Sequence, residues 1–216
     1  MTEFVDVVRR RRMTRSFSTD PVDDALLHEL VDLASWAPSA GKAQGWHLVV
    51  LRGPETARFW DITLPTMRRG SFKWKRLLDA PVIALPFADP KAYTDRYAEP
   101  DKAGTGLGNG THAWPVPYWT VDTSMAVMTM LLAAEDVGLG ALFFGVFRGE
   151  RELRHELGVP NGPELLGAVA LGYRADPTDP TDPTDPTGSA STDRARGRSA
   201  GRPRRGSNEI IRSGRW

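Results

Sequence analysis

Arg9-Arg10-Arg11-Arg12-Met13-Thr14-Arg15-Ser16-Phe17 puts five arginines into seven consecutive positions, directly after Phe4, Val5 and Val8, which fall at helical spacing. A guanidinium binds phosphate as a planar two-pronged donor, so a cluster held at a helix end suits a single terminal phosphate. Short Arg-rich runs also occur as solvated basic faces or nucleic-acid patches. The phosphate ranks first because Phe4, Val5, Val8 and Phe17 are expected to pack the segment down, whereas basic arms are flanked by polar sequence.

Working outward, residues 2–10 read as a first helix with Thr2 as N-cap. Pro21-Val22-Asp23 opens a second helix with a wide apolar stripe (Leu26, Leu27, Leu30, Val31, Leu33, Ala34), and Pro38 stops it. Small and polar residues 37–46 form a loop that can approach a ligand closely, leading into a strand at residues 47–51. Residues 54–62 read as a third helix and 64–78 as loop and basic helix. Residues 80–88 read as a strand, although Pro81 and Pro86 weaken that pattern. Residues 89–119 break into Gly, Pro and aromatics, the pattern of a long lid or mobile binding loop. Residues 121–137 read as a buried central helix, with Met125, Met128, Leu131 and Leu132 on a nearly all-apolar surface and Gly138-Leu139-Gly140 closing it. A strand at 141–147, a short helix at 150–157 and a strand at 165–173 follow.

The chain has 216 residues, a net charge of +1 and no cysteine, which excludes disulfides, thiolate nucleophiles and cysteine-held metals. No apolar run reaches the roughly 18 residues of a membrane span and no signal-like core opens the chain, so a cytoplasmic location is expected. Residues 176–187 are Asp-Pro-Thr repeated four times, which cannot build a core and reads as a linker. Beyond it lie Arg202-Pro203-Arg204-Arg205 and Glu209-Ile210-Ile211, read as a second anchoring point. The expected organisation is a domain at 1–175, a low-complexity linker at 176–200 and a basic C-terminal segment at 201–216.

In this order the residues resemble the FMN-dependent nitroreductase family. The resemblance rests on Arg11-Arg12-x-x-Arg15-x-Phe17, on Ala37-Pro38-Ser39-Ala40 before Gln44-x-Trp46, and on Leu132-Ala133-Ala134 with Gly138-Leu139-Gly140. Gly145, Leu171-Gly172-Tyr173 and the basic stretch ending Ile210-Ile211 complete it. The resemblance implies an α+β fold, with a central, mostly antiparallel sheet flanked by helices. It also implies a homodimer with exchanged C-terminal segments, and FMN at the interface. Carried over, Arg11, Arg12, Met13 and Arg15 would hold the phosphate, ribityl chain and pyrimidine edge. Pro38, Ser39 and Lys42 would line the flavin from the partner subunit, Phe144 and Gly145 would approach the ring, and Arg204 or Arg205 would close on the phosphate. Met13 stands where Ser is common in the family, Lys42 where Asn is common and Gly45 where Pro is common.

No nucleophile or metal cluster competes with this reading. In flavin enzymes the cofactor carries the hydride, and the protein supplies orientation and charge. Arg15 or Lys42 is the candidate cation for the pyrimidine edge. Ser39-Ala40-Gly41-Lys42 matches the S-x-x-K of penicillin-recognising enzymes without their companion boxes. Glu152-Leu153-Arg154-His155 has the spacing of a di-iron ligand pair without a second copy. Two functions stay in view. One is an FMN oxidoreductase passing hydride from NAD(P)H to a small nitroaromatic, quinone or similar acceptor by a ping-pong scheme, with Trp114, Tyr118 and Trp119 walling the substrate pocket. The other is a polyanion-binding module using both Arg-rich ends. Neither calls for a membrane, and the overall charge makes nucleic acid the lesser expectation.

Overall fold

The computed structural model describes residues 3–175 and 203–214, which belong to two units. In the larger unit five strands make one sheet: β1 (Trp46–Arg52), β2 (Val82–Ala88), β3 (Gly140–Phe144), β4 (Glu164–Leu165) and β5 (Ala168–Gly172). The order is β1-β2-β5-β3 with β4 also on β2, and every strand pairing is antiparallel. The expected strands at 141–147 and 165–173 are therefore shorter. The latter divides at Gly167, whose φ of +149 turns β4 into β5 and whose missing Cβ leaves room for the Phe144 carbonyl.

β2 is buried along its whole length, because helices cover both faces of the sheet. Its side chains alternate accordingly. Val82 and Ala84 pack with Leu27, Leu30, Val127 and Met130 on one face. Ile83, Leu85 and Phe87 pack with Phe59, Trp60 and Leu153 on the other. Pro86 does not interrupt the strand. It falls between the β5-paired residues and the β4-paired residues, and its carbonyl there accepts the Leu166 N–H at 3.0 Å.

Around the sheet lie α1 (Phe4–Arg10), α2 (Asp24–Ser35), α3 (Thr56–Thr63), α4 (Thr66–Arg69), α5 (Pro90–Ala98), α6 (Tyr118–Asp136) and α7 (Glu150–Glu156). The Asp23 side chain caps α2 by accepting the Ala25 N–H at 2.8 Å, an ordinary helix start. Thr2, expected to cap α1, lies outside the described residues, and Glu3 occupies that position.

Three expectations are corrected. Phe4, Val5 and Val8 do not pack down; they are exposed, and α1 buries only Val7, because a seven-residue helix presents one short strip to the domain. Met125 and Met128 of α6 are likewise exposed, so this helix is not buried all round. Residues 89–119 are not an irregular loop. Asp89 caps α5 through the Lys91 N–H with Pro90 at its first position, and three 3-10 turns follow before α6. No helix among the described residues is long and apolar enough to cross a membrane.

The smaller unit contains α8 (Ser207–Ile210), with the Glu209 carboxylate on the Gly206 N–H at 2.8 Å and Arg205 donating to the Glu209 carbonyl. The Asp-Pro-Thr repeat, Arg202 and Trp216 lie outside the described residues.

Candidate active site

The arginine segment is laid along the edge of the sheet. Met13 forms a parallel bridge with Ala141 of β3, and the Thr14 N–H donates to the Ala141 carbonyl at 2.9 Å. Gly140 permits this approach, since a Cβ there would sit 2.8 Å from the Thr14 methyl. Phe17 is fully buried and bridges to Arg174, which closes the other end of the segment.

The arginines take separate roles. Arg12 folds back to donate to the carbonyls of Arg9, Arg10 and Arg11 at the end of α1, where the helix leaves its last acceptors open. Arg10 approaches the buried carboxylate of Glu135 at 4.0 Å, and Arg174 bonds the same group at 2.5 Å. Arg15 donates to the Met13 carbonyl at 3.2 Å and lies 5.3 Å from the centre of the Trp74 ring. Arg11 differs: its Nη1 is buried and has no hydrogen-bond partner among the described residues. A buried cationic donor is costly when unmatched, so this atom suits an incoming anion.

Beside this segment is a cavity of about 430 Å³ with an apolar, aromatic-rich wall, bordered by Arg15, Trp60, Trp74, Phe144, Gly145 and Phe147. Trp60 stacks on Phe144, with ring centres 6.0 Å apart and planes 5° from parallel. The indole nitrogens of Trp60 and Trp74 are both buried without partners among the described residues. Arg15, Phe144 and Gly145 are thus brought together, while Arg11, Arg12 and Met13 do not line this cavity.

Pro38, Ser39 and Lys42 line a different hollow of about 500 Å³ with Trp36, Ala37 and Gln44. Trp36 is 86% exposed. Within this loop Gly41, Lys42 and Gln44 have φ of +61, +58 and +50. Left-handed backbone at non-glycine residues costs on the order of 1 kcal/mol or more each and persists only when the surroundings impose it. The Ser39 hydroxyl accepts the Gln44 N–H at 3.0 Å, which closes the turn.

Gly45 has a local physical reason. It is buried beneath α5, and a Cβ there would lie 2.7 Å from both Ala92 and Tyr93. Trp114 and Trp119 are packed, 8% and 6% exposed, in an aromatic cluster with Tyr93 and Tyr97. Their indole nitrogens bond the Leu107 carbonyl and the Glu164 carboxylate, both at 3.0 Å. Only Tyr118 of the three aromatic candidates is exposed, and none of them lines the cavity beside Arg15.

Two groups escaped the sequence reading. Asp122 is buried in α6 and takes the Ala40 N–H at 2.8 Å and the Tyr93 O–H at 2.9 Å on one oxygen. An acidic residue inside the apolar run at 121–137 was its available signal. Arg96 donates through Nε to the Gly41 carbonyl at 2.8 Å, and its other nitrogens hold Asp101. It gave no signal, because α5 has too few apolar positions to stand out.

Against this geometry, the Nitroreductase family model matches residues 8–173, and the chain belongs to the nitroreductase family. An NADH dehydrogenase from Thermus thermophilus is 30% identical over 181 residues, 77% of this chain and 84% of that one. A relative from Archaeoglobus fulgidus, named NADH dehydrogenase/NAD(P)H nitroreductase, is 29% identical over 82% of this chain and 88% of its own. The fold matches that of a nitroreductase from Exiguobacterium sibiricum solved in complex with FMN, at TM-score 0.66 and 18% identity over 82% of this chain and 90% of that one.

Proposed function

We propose that the protein is an FMN-dependent oxidoreductase that moves hydride from NAD(P)H to a small electron-poor acceptor, with donor and acceptor using one site in turn. The observation that carries this reading is the buried Nη1 of Arg11, unpartnered among the described residues, in an arginine segment whose Arg15 borders an aromatic-rich cavity. An anionic tail and a planar ring are the two chemistries such residues suit. The named relatives support the donor class.

In this reading Arg11 and Arg12 hold the phosphate. Arg15, steadied by Trp74 and the Met13 carbonyl, holds positive charge at the pyrimidine edge, where reduction builds negative charge. Phe144 and Gly145 bound the ring and keep water from one side. Pro38, Ser39 and Lys42 act from a partner subunit. The cofactor supplies the acceptance and return of hydride. A second copy is the proposed cover for the exposed Phe4, Val5 and Val8 of α1 and Met125 and Met128 of α6, two helices that pack together. Of the three aromatic candidates, Tyr118 is the proposed acceptor-side contact, and the packed Trp114 and Trp119 support it from the core.

A polyanion-binding module receives less support, because Arg10 is engaged with the buried carboxylate of Glu135. The test is chemical. Heat-released cofactor is expected to chromatograph as FMN, and anaerobic NADH or NADPH to bleach its absorbance. A colourless protein that fails to take up FMN at micromolar concentration, roughly 8 kcal/mol of binding, overturns the reading.

A further inference from the structure

The loop at residues 39–44 has an unfavourable backbone and needs an external hold. Two elements supply it. From α6, the buried Asp122 accepts the Ala40 N–H. From α5, Arg96 donates to the Gly41 carbonyl, and Tyr97 packs so closely that a Cβ at Gly41 would lie 2.8 Å from its ring. Tyr93 joins the two, since its hydroxyl shares the Asp122 oxygen already used by Ala40. Burial, and then the bond to that carboxylate, raise the Tyr93 phenol above its ordinary range, so it stays a donor. A carboxylate buried at this depth is tolerable only when its hydrogen bonds are made, and here they run to the loop and to α5.

We infer that Asp122 is a positioning residue, braced by Tyr93 and Arg96, that locks residues 39–44 into the shape presenting Ser39 and Lys42 to the flavin. The loop-holding part stands on the geometry alone; its consequence for the cofactor rests on the FMN reading above. α5 then clamps the cofactor loop from behind, and Asp122 ties that clamp to the central helix.

The full-length protein tests this with two readouts. The first is tryptic cleavage after Lys42, compared with thermal melting. The second is FMN retention. Asp122→Ala is expected to speed cleavage after Lys42 and to weaken FMN retention, each by about tenfold, the scale of one lost hydrogen bond to a charged group. Asp122→Asn keeps an oxygen acceptor and is expected to restore both to near the parent. Parental cleavage in Asp122→Ala, or a rise that only tracks a lowered melting temperature, overturns the positioning role. Faster cleavage with parental FMN affinity overturns its link to the cofactor. If the parent itself binds no FMN, the functional reading fails, and the cleavage arm still decides the loop-holding. Should Asp122→Ala not fold, Tyr93→Phe removes only the shared donor. It must also speed cleavage after Lys42 for the inference to stand.

Discussion

The guanidinium of Arg15 lies 5.3 Å from the centre of the Trp74 ring, while its Nη1 donates to the Met13 carbonyl. A planar cation is thereby fixed against a planar wall at the mouth of the aromatic cavity. Lysine cannot reproduce this, because its point charge neither stacks nor forks. Arg15→Gln, which removes the charge, is expected to lower the reduction potential of bound FMN and to slow turnover. An unaltered potential removes Arg15 from the pyrimidine edge.

Arg11 and Arg9 make an internal control. Arg11→Ala is expected to weaken FMN retention about tenfold or more, the loss of one charge-assisted bond, whereas Arg9→Ala changes it little. Equal losses, read by equilibrium dialysis, point to a diffuse basic patch.

Gly45→Ala is expected to destabilise by about 1–3 kcal/mol, since the new methyl meets Ala92 and Tyr93 at 2.7 Å and α5 must shift. Chemical denaturation measures it, and a neutral result means that α5 yields freely.

The three candidate wall aromatics now separate. Trp114→Ala removes a buried ring and is expected to cost about 3–5 kcal/mol of stability. Tyr118→Ala is expected to spare stability and to change the ratio of nitroaromatic to quinone rates. An unchanged ratio sinks the role proposed for this wall.

Asp101 supplies a pH test. The hydrogen bond from Arg96 holds its carboxyl below the ordinary carboxylate range, so the folded state binds its proton less readily than the unfolded chain. The stabilisation is therefore present above about pH 3.9 and is lost as pH falls through the lower folded value. Asp101→Asn is expected to lower the melting temperature slightly at pH 7 and to match the parent in strong acid.

The legible parts of this chain were those with a strong local pattern of apolar or charged residues. α2 showed its stripe, β2 its continuous apolar run, and the arginine segment its density of charge. α5 stayed hidden because it buries only Pro90 and Tyr93, too few positions to generate a period, and because Gly and aromatic residues flank it. The exposure of Phe4 and Met125 was equally out of reach, since the same apolar letters serve a core and a surface. Asp122 was visible as a letter, but its partners Ala40 and Tyr93 lie 82 and 29 residues away.

The bridge between Met13 and Ala141 also sets a length. From Ala141 to Phe144 is three residues of extended chain, about 10 Å. β3 therefore works as a ruler, with the cationic segment fastened at one mark and the aromatic wall at another. One residue inserted between them would stretch the interval by a third and turn Phe144 to the opposite face of the sheet. The spacing between the cationic segment and Phe144 is thus written in a strand rather than in a loop.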